Sequence, residues 1–163
     1  MPLYFAYGSN IDRKAMASRC PRSSPIGVAR LMRHRLAVMR EGWLTAVRDP
    51  RAIVHGVLWD LALSDMPALD RYEGVANGLY RKALQGVATS TGPKRALVYF
   101  GANTGPGDPR PGYIEAIASA ATEWRLPLDA LERFMPRGGT SSLGEELERR
   151  PAVRPRFATP FDR

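Results

Sequence analysis

Apolar and polar positions along the chain read first as strands and later as helices. Leu3 to Tyr7 is aromatic and apolar throughout, which predicts a buried strand over 2–7. Gly8 punctuates it, and Ser9 and Asn10 are good N-cap residues. Ile11, Ala15 and Met16 follow at helical spacing, predicting a helix over 11–19 that ends at Cys20-Pro21. After a loop at Ser23-Ser24-Pro25, strands are expected over 26–31, 35–39 and 44–48, then a turn at Asp49-Pro50-Arg51. Ile53 to Leu61 is long, β-branched and aromatic, the strongest strand pattern of the chain. Ser64 and Pro67 open a helix that runs to about Tyr72 and stops at Gly74. Two further strands are expected over 79–88 and 95–100, separated by Ser90-Thr91-Gly92-Pro93, and a Gly/Pro-rich loop over 101–112. Helices follow over 111–124 and 128–135, and a weak capping box predicts a short one over 143–149.

These strand segments precede most of the helices, without regular alternation. That order predicts an α+β fold on a small, mixed, mainly antiparallel sheet, closed as a β-barrel with packed helices. No linker separates two folding units. Residues 1–139 are read as one domain and 140–163 as an Arg/Pro-rich C-terminal extension.

Composition adds little to this picture and removes several alternatives. With 163 residues, 44% hydrophobic and 25% charged, the chain can bury a substantial core. No apolar run approaches a membrane span, no signal peptide is visible, and a single cysteine, Cys20, precludes an internal disulfide. These features suggest a cytoplasmic protein with no membrane partner. Cys20 lies beside Arg19 and Arg22, whose charges favour a thiolate, but at the unfavourable end of a helix. Net charge is +8, carried by 21 Arg and only 3 Lys. They are dispersed along the chain, which argues for a solvated basic surface and against a nucleic-acid partner.

Serine has no nucleophile elbow, glycine no phosphate loop or dinucleotide fingerprint, and His34 and His55 no neighbours at metal-ligand spacing. A carboxylate is therefore the best remaining acid or base. Glu73, in Leu69-Asp70-Arg71-Tyr72-Glu73-Gly74-Val75, falls at a helix C-terminus among apolar neighbours. Desolvation and the helix dipole both raise the pKa of a carboxylate so placed, which suits a proton shuttle near neutral pH. An exposed glutamate on a frayed helix end fits the same pattern, and Asp70 is the alternative carboxylate. At the N-terminus, strand, tight turn and helix start aim backbone N–H groups at one small volume, where an anion or oxyanion is favoured.

Together, Tyr4-Phe5-Ala6-Tyr7-Gly8-Ser9-Asn10, Gly56-Val57-Leu58-Trp59 and Leu69 to Val75, continuing through Asn77-Gly78-Leu79-Tyr80, resemble the γ-glutamylcyclotransferase-like family in order and spacing. The resemblance spans roughly residues 3–125. It implies a β-barrel with packed helices and an intramolecular reaction without metal or organic cofactor. The α-amino group of a γ-glutamyl compound attacks its own γ-carbonyl, giving 5-oxoproline and a free amine or amino acid. On this reading Glu73 is the general base and acid, and Tyr4, Tyr7, Gly8, Ser9, Asn10 and Tyr113 bind the substrate. Strand alternation puts Tyr4 and Ala6 on one face and Leu3, Phe5 and Tyr7 on the other, leaving open which faces the substrate. Asn10 stands where the family's glutathione-specific branch carries leucine, which points to γ-glutamyl amino acids or amines. A monomer or homodimer is expected. A γ-glutamyl-removing biosynthetic enzyme and a non-catalytic binding module of the same fold remain alternatives.

Overall fold

A computed structural model of the chain describes residues 2–136. Five strands, β1 (Leu3–Ala6), β2 (Ser24–Val38), β3 (Leu44–Asp60), β4 (Tyr80–Thr89) and β5 (Gly92–Gly101), close into a barrel in the order β1–β3–β2–β4–β5. Neighbours are antiparallel except β1 and β5, which run parallel and pair only at Tyr4 opposite Leu97. The expected α+β barrel is present, with the seven strand segments expected from the sequence joined into five strands.

The difference lies in the β2–β3 ribbon. The separate strands expected at 26–31 and 35–39 are one strand, and the loop expected at 23–25 already belongs to it from Ser24 onward. Similarly, Asp49-Pro50-Arg51 does not end a strand but lies inside β3. Met32 pairs with Ile53 and His34 with Arg48, so Arg33 alone faces residues 49–52. This is a bulge in which Asp49 accepts the Arg51 N–H at 3.1 Å and Arg33 takes a left-handed φ of 59°. The turn chemistry was real; the ladder resumed on its far side and made it a bend within a strand.

Gly56 fixes how β1 crosses β3. A Cβ there would lie 2.2 Å from the Ala6 carbonyl oxygen and 2.7 Å from the Phe5 ring. Only glycine leaves room for that crossing, which seats the fully buried Phe5 in the core.

The helices pack around the barrel. A single 3₁₀ turn (Ser9–Ile11) leads into α1 (Arg13–Arg19), capped by Asp12, whose carboxylate accepts the Lys14 N–H at 3.0 Å. The cap is therefore neither Ser9 nor Asn10, whose side chains turn elsewhere. Another 3₁₀ turn (Leu63–Asp65) precedes α2 (Met66–Tyr72), which has proline in its first turn as expected but no side-chain cap from Ser64. α3 (Tyr113–Glu123) begins after Pro111-Gly112 and buries Ile114, Ile117, Ala118, Ala120 and Ala121. These small residues admit a close approach to the 9–11 turn, and the Trp124 indole Nε1–H donates to the Ile11 carbonyl at 2.7 Å. The helix expected over 128–135 shortens to α4 (Asp129–Glu132). The extension at 140–163 and the helix predicted within it lie outside the described residues. Among the described residues, no helix is long and apolar enough to cross a membrane.

Candidate active site

Past their single pair, β1 and β5 exchange no further ladder bonds. The Tyr7 hydroxyl spans the opening and donates to the Tyr99 carbonyl at 2.5 Å. Here a recess opens to solvent, lined by the end of β1, the following turn, α2 and the start of α3. The chain has six tyrosines, and all six, at 4, 7, 72, 80, 99 and 113, line this recess. Both faces of β1 contribute, because the recess sits at the strand's end. Tyr4 meets Tyr99 edge-to-face at 5.7 Å, while Phe5 and Tyr7 share the opposite face.

Several hydroxyls are already committed. Tyr80 donates to the Leu44 carbonyl at 2.5 Å, and Tyr99 donates to the Asp70 carboxylate at 2.6 Å. Tyr113 accepts the Leu44 N–H at 3.1 Å, which leaves its own proton available to donate. That hydroxyl also lies 3.5 Å from the position of a Cβ on Gly8, so the turn glycine keeps a methyl out of the recess. Burial raises the proton affinity of these tyrosines; the Tyr72 hydroxyl reaches about 12, its rise opposed chiefly by Arg19. The wall is thus neutral hydroxyl and aromatic surface at physiological pH.

Glu73 is the carboxylate in that wall. It follows Tyr72 as the C-terminal cap of α2, and Gly74 adopts the left-handed conformation (φ 65°) that ends the helix. Its residue is 8% exposed, and burial pushes the carboxyl from 4.5 up to about 8. Arg19 and a hydrogen bond with Tyr4 pull the other way, while Asp70 adds a smaller upward push. Asp70 itself is half-exposed, bonded to Tyr99 and to Lys82 Nζ at 2.8 Å. It is a structural partner for those two residues.

The turn after β1 meets Glu73 through Asn10. The Asn10 amide nitrogen donates to Tyr4 Oη at 3.1 Å and lies 3.5 Å from Glu73 Oε1. Ser9 Oγ and Tyr72 Oη share a hydrogen bond of 2.7 Å. Ser9 is therefore not a helix cap, and the expected side-chain roles of Ser9 and Asn10 change from capping to cross-linking the turn to α2. Tyr4, Tyr7, Gly8, Ser9, Asn10, Glu73 and Tyr113, singled out from sequence, all line the one recess.

Sequence reasoning did not assign Tyr72, Tyr80, Tyr99, Leu44 or Arg19 to the site. Tyr99 and Leu44 sit in ordinary strand patterns that carry no local signal. Arg19 donates to Asn10 Oδ1 and stacks 3.7 Å over the Tyr72 ring. Its position at the end of α1 is a weak hint, since only the packing of α1 against α2 brings it there. Cys20, next to it, is buried, and burial raises its thiol to about 11 despite the nearby guanidinium. Desolvation outweighs the cations there, and a thiolate is disfavoured.

The closed five-strand barrel with a few packed helices is a fold shared with solved structures. The chain belongs to the AIG2-like family, whose model matches residues 53–134. It is 32% identical to the gamma-glutamylcyclotransferase of Homo sapiens over 160 residues, covering 90% of this chain and 85% of the relative. The Bos taurus gamma-glutamylcyclotransferase is 31% identical over the same coverage. A solved structure titled gamma-glutamyl cyclotransferase superposes with a TM-score of 0.76 at 31% identity, over 91% of this chain and 96% of that one.

Proposed function

We propose that this chain is a γ-glutamyl cyclotransferase acting on γ-glutamyl amino acids or amines, with Glu73 as its proton shuttle. The observation that carries the reading is the buried Glu73 carboxyl facing the Asn10 amide in a recess otherwise walled by neutral hydroxyls and aromatic rings.

The chemistry needs little more. The substrate carries its own nucleophile, so the protein must fold it so that nitrogen and γ-carbonyl meet, an orientation worth ~10⁵–10⁸ M in effective molarity. The α-ammonium enters an aromatic recess whose one carboxyl has a pKa of about 8. A free α-amino group has a pKa of ~8 as well, so proton transfer between the two is nearly balanced, the condition for an efficient shuttle. The freed amine attacks the carbon of the γ-carbonyl and forms the ring C–N bond. The γ C–N bond to the leaving group breaks, and the departing nitrogen takes the proton that Glu73 carries. One carboxyl serves both steps because they are consecutive.

The developing oxyanion and the glutamyl α-carboxylate both need donors. The 3₁₀ turn supplies backbone N–H groups at Ser9 and Asn10, which have no acceptor within so short a helix. The Tyr113 hydroxyl, with its proton to spare, faces the same turn across Gly8. A single well-placed donor contributes ~2.7–4 kcal/mol to such a transition state.

The direct experiment incubates the pure protein with a panel of γ-glutamyl amino acids and amines, and with glutathione, and measures 5-oxoproline. Release from γ-glutamyl amino acids or amines in preference to glutathione is expected. No 5-oxoproline from any member would overturn the reading.

A further inference from the structure

Arg19 occupies a place in the site that neither the substrate nor the reaction requires by itself. It is the last residue of α1, half-buried, with its guanidinium lying 3.7 Å over the ring of Tyr72 and one N–H donated to Asn10 Oδ1. A guanidinium can only donate, so the amide oxygen of Asn10 must face Arg19. The amide NH₂ then turns the other way, toward Tyr4 Oη at 3.1 Å and Glu73 Oε1 at 3.5 Å. With the amide reversed, its oxygen would confront the Glu73 carboxylate, and two acceptors would meet in a desolvated recess. Tyr72 completes the clamp. Its ring carries the guanidinium and its hydroxyl shares a hydrogen bond with Ser9 Oγ, so α1, α2 and the 9–11 turn lock on one planar group.

We propose that Arg19 is a positioning residue that sets the facing of the Asn10 amide, presenting an N–H donor to Glu73, and that places a fixed positive charge one side chain behind that carboxylate. This rests on the reading of Glu73 as the proton shuttle but makes a separate claim. Among the described residues, the titratable groups facing Glu73 are Arg19 from α1, Asp70 and Tyr72 from α2, Tyr4 from β1, Tyr7 directly after it, Tyr80 from β4, Tyr99 from β5 and Tyr113 from α3. Cys20, at the end of α1, feels it too. Among the described residues Arg19 is the one cation in this set, so its removal leaves burial and Asp70 opposed there only by the Tyr4 hydrogen bond, and Glu73 binds its proton more tightly.

The test uses Arg19→Met, which keeps a stem to lie on Tyr72 but removes donor and charge, and Arg19→Lys, which restores the charge without the planar fork. The Glu73 carboxyl is followed by carbon-13 NMR through a pH titration, assigned by its loss in Glu73→Gln, and 5-oxoproline release is measured in parallel. In Arg19→Met the Glu73 midpoint should rise by about one pH unit or more, and kcat should fall at least about 10-fold with the acid limb of the rate profile moving up in step. Arg19→Lys should return the midpoint most of the way and kcat only in part. A Glu73 midpoint unmoved in a folded Arg19→Met protein would overturn the proposal, whatever its activity. A midpoint that moves in a protein with no cyclotransferase activity would uphold it and remove the proposed function instead. Should Arg19→Met fail to fold, Arg19→Lys decides: unchanged kcat there would exclude a role for the planar donor.

Discussion

The side-chain amide of Asn10 lies 3.5 Å from the Glu73 carboxylate, across 63 residues of sequence. It joins the turn that follows β1 to the C-terminal end of α2, and so brings the two segments that carry the candidate chemistry into one contact. Both groups are buried, so neither can trade the other for water without cost.

Glu73→Gln should keep the fold and lose at least ~10²-fold in 5-oxoproline release, the low end for removing a general acid–base. Gln retains a carbonyl oxygen for the Asn10 amide but cannot accept the proton. Steady-state assays on a γ-glutamyl amino acid check this, and full activity in Glu73→Gln would sink the mechanism.

The pH dependence follows from the raised carboxyl. If Glu73 must be ionised to receive the substrate's proton, kcat/KM should rise with pH and bend over at about 8, the value burial imposes on it. A profile with its acid limb near 4.5 would assign the proton to a carboxylate outside this recess.

Stability should carry the opposite sign. Glu73 is at about 8 in the folded protein against an ordinary 4.5, so folding favours its protonated form. Its stabilising contribution is complete below about 4.5 and is lost as pH rises through about 8, a change on the order of a few kcal/mol. Denaturant melts of wild type and Glu73→Gln should therefore agree best in acid and diverge toward pH 9, with Glu73→Gln the more stable. Parallel curves across that range would show that Glu73 is solvated.

Ser9→Ala should stay within about 10-fold of wild-type activity, because Ser9 Oγ is bonded to Tyr72 at 2.7 Å and faces no base. A covalent route through Ser9 would instead cost on the order of 10⁴-fold or more. Rate measurements on purified Ser9→Ala distinguish the two.

Gly56→Ala should be among the most damaging small substitutions in the chain. Its Cβ would meet the Ala6 carbonyl oxygen at 2.2 Å and the Phe5 ring at 2.7 Å, and neither can move without dislodging β1. A loss of about 3 kcal/mol or more, or failure to fold, is expected. Gly86→Ala on β4, where an added Cβ meets nothing within 4 Å, is the control and should fold normally.

Much of this was legible in the chain itself. The apolar run Leu3–Tyr7 and the pattern over 53–61 announce buried strands because barrel strands must hide their side chains, and both form. Glu73 was legible as a candidate because it stands at a helix end among apolar neighbours, but an exposed glutamate fits that pattern equally well, and its burial follows only from the tertiary packing. Asp49-Pro50-Arg51 misled because local turn chemistry and a resumed ladder are compatible within one bulged strand, and pairing with β2 is not visible locally. The caps misled for a related reason. Ser9 and Asn10 are favourable cap residues, but Tyr72 and Tyr4 offered their side chains stronger partners, and Asp12 was left to start α1.

The sequence alone determined most of the strands and helices and which residue types could carry the chemistry, since these depend on periodicity and on the properties of single side chains. Only the tertiary structure decided that β1 and β5 part after a single pair, that all six tyrosines converge on the opening, and that Arg19 and Asn10 stand behind Glu73. Barrel closure and the packing of α1 on α2 set those distances. A proton affinity is fixed by burial and by charges a few ångströms away, and residues distant along the chain become such neighbours only when the barrel closes.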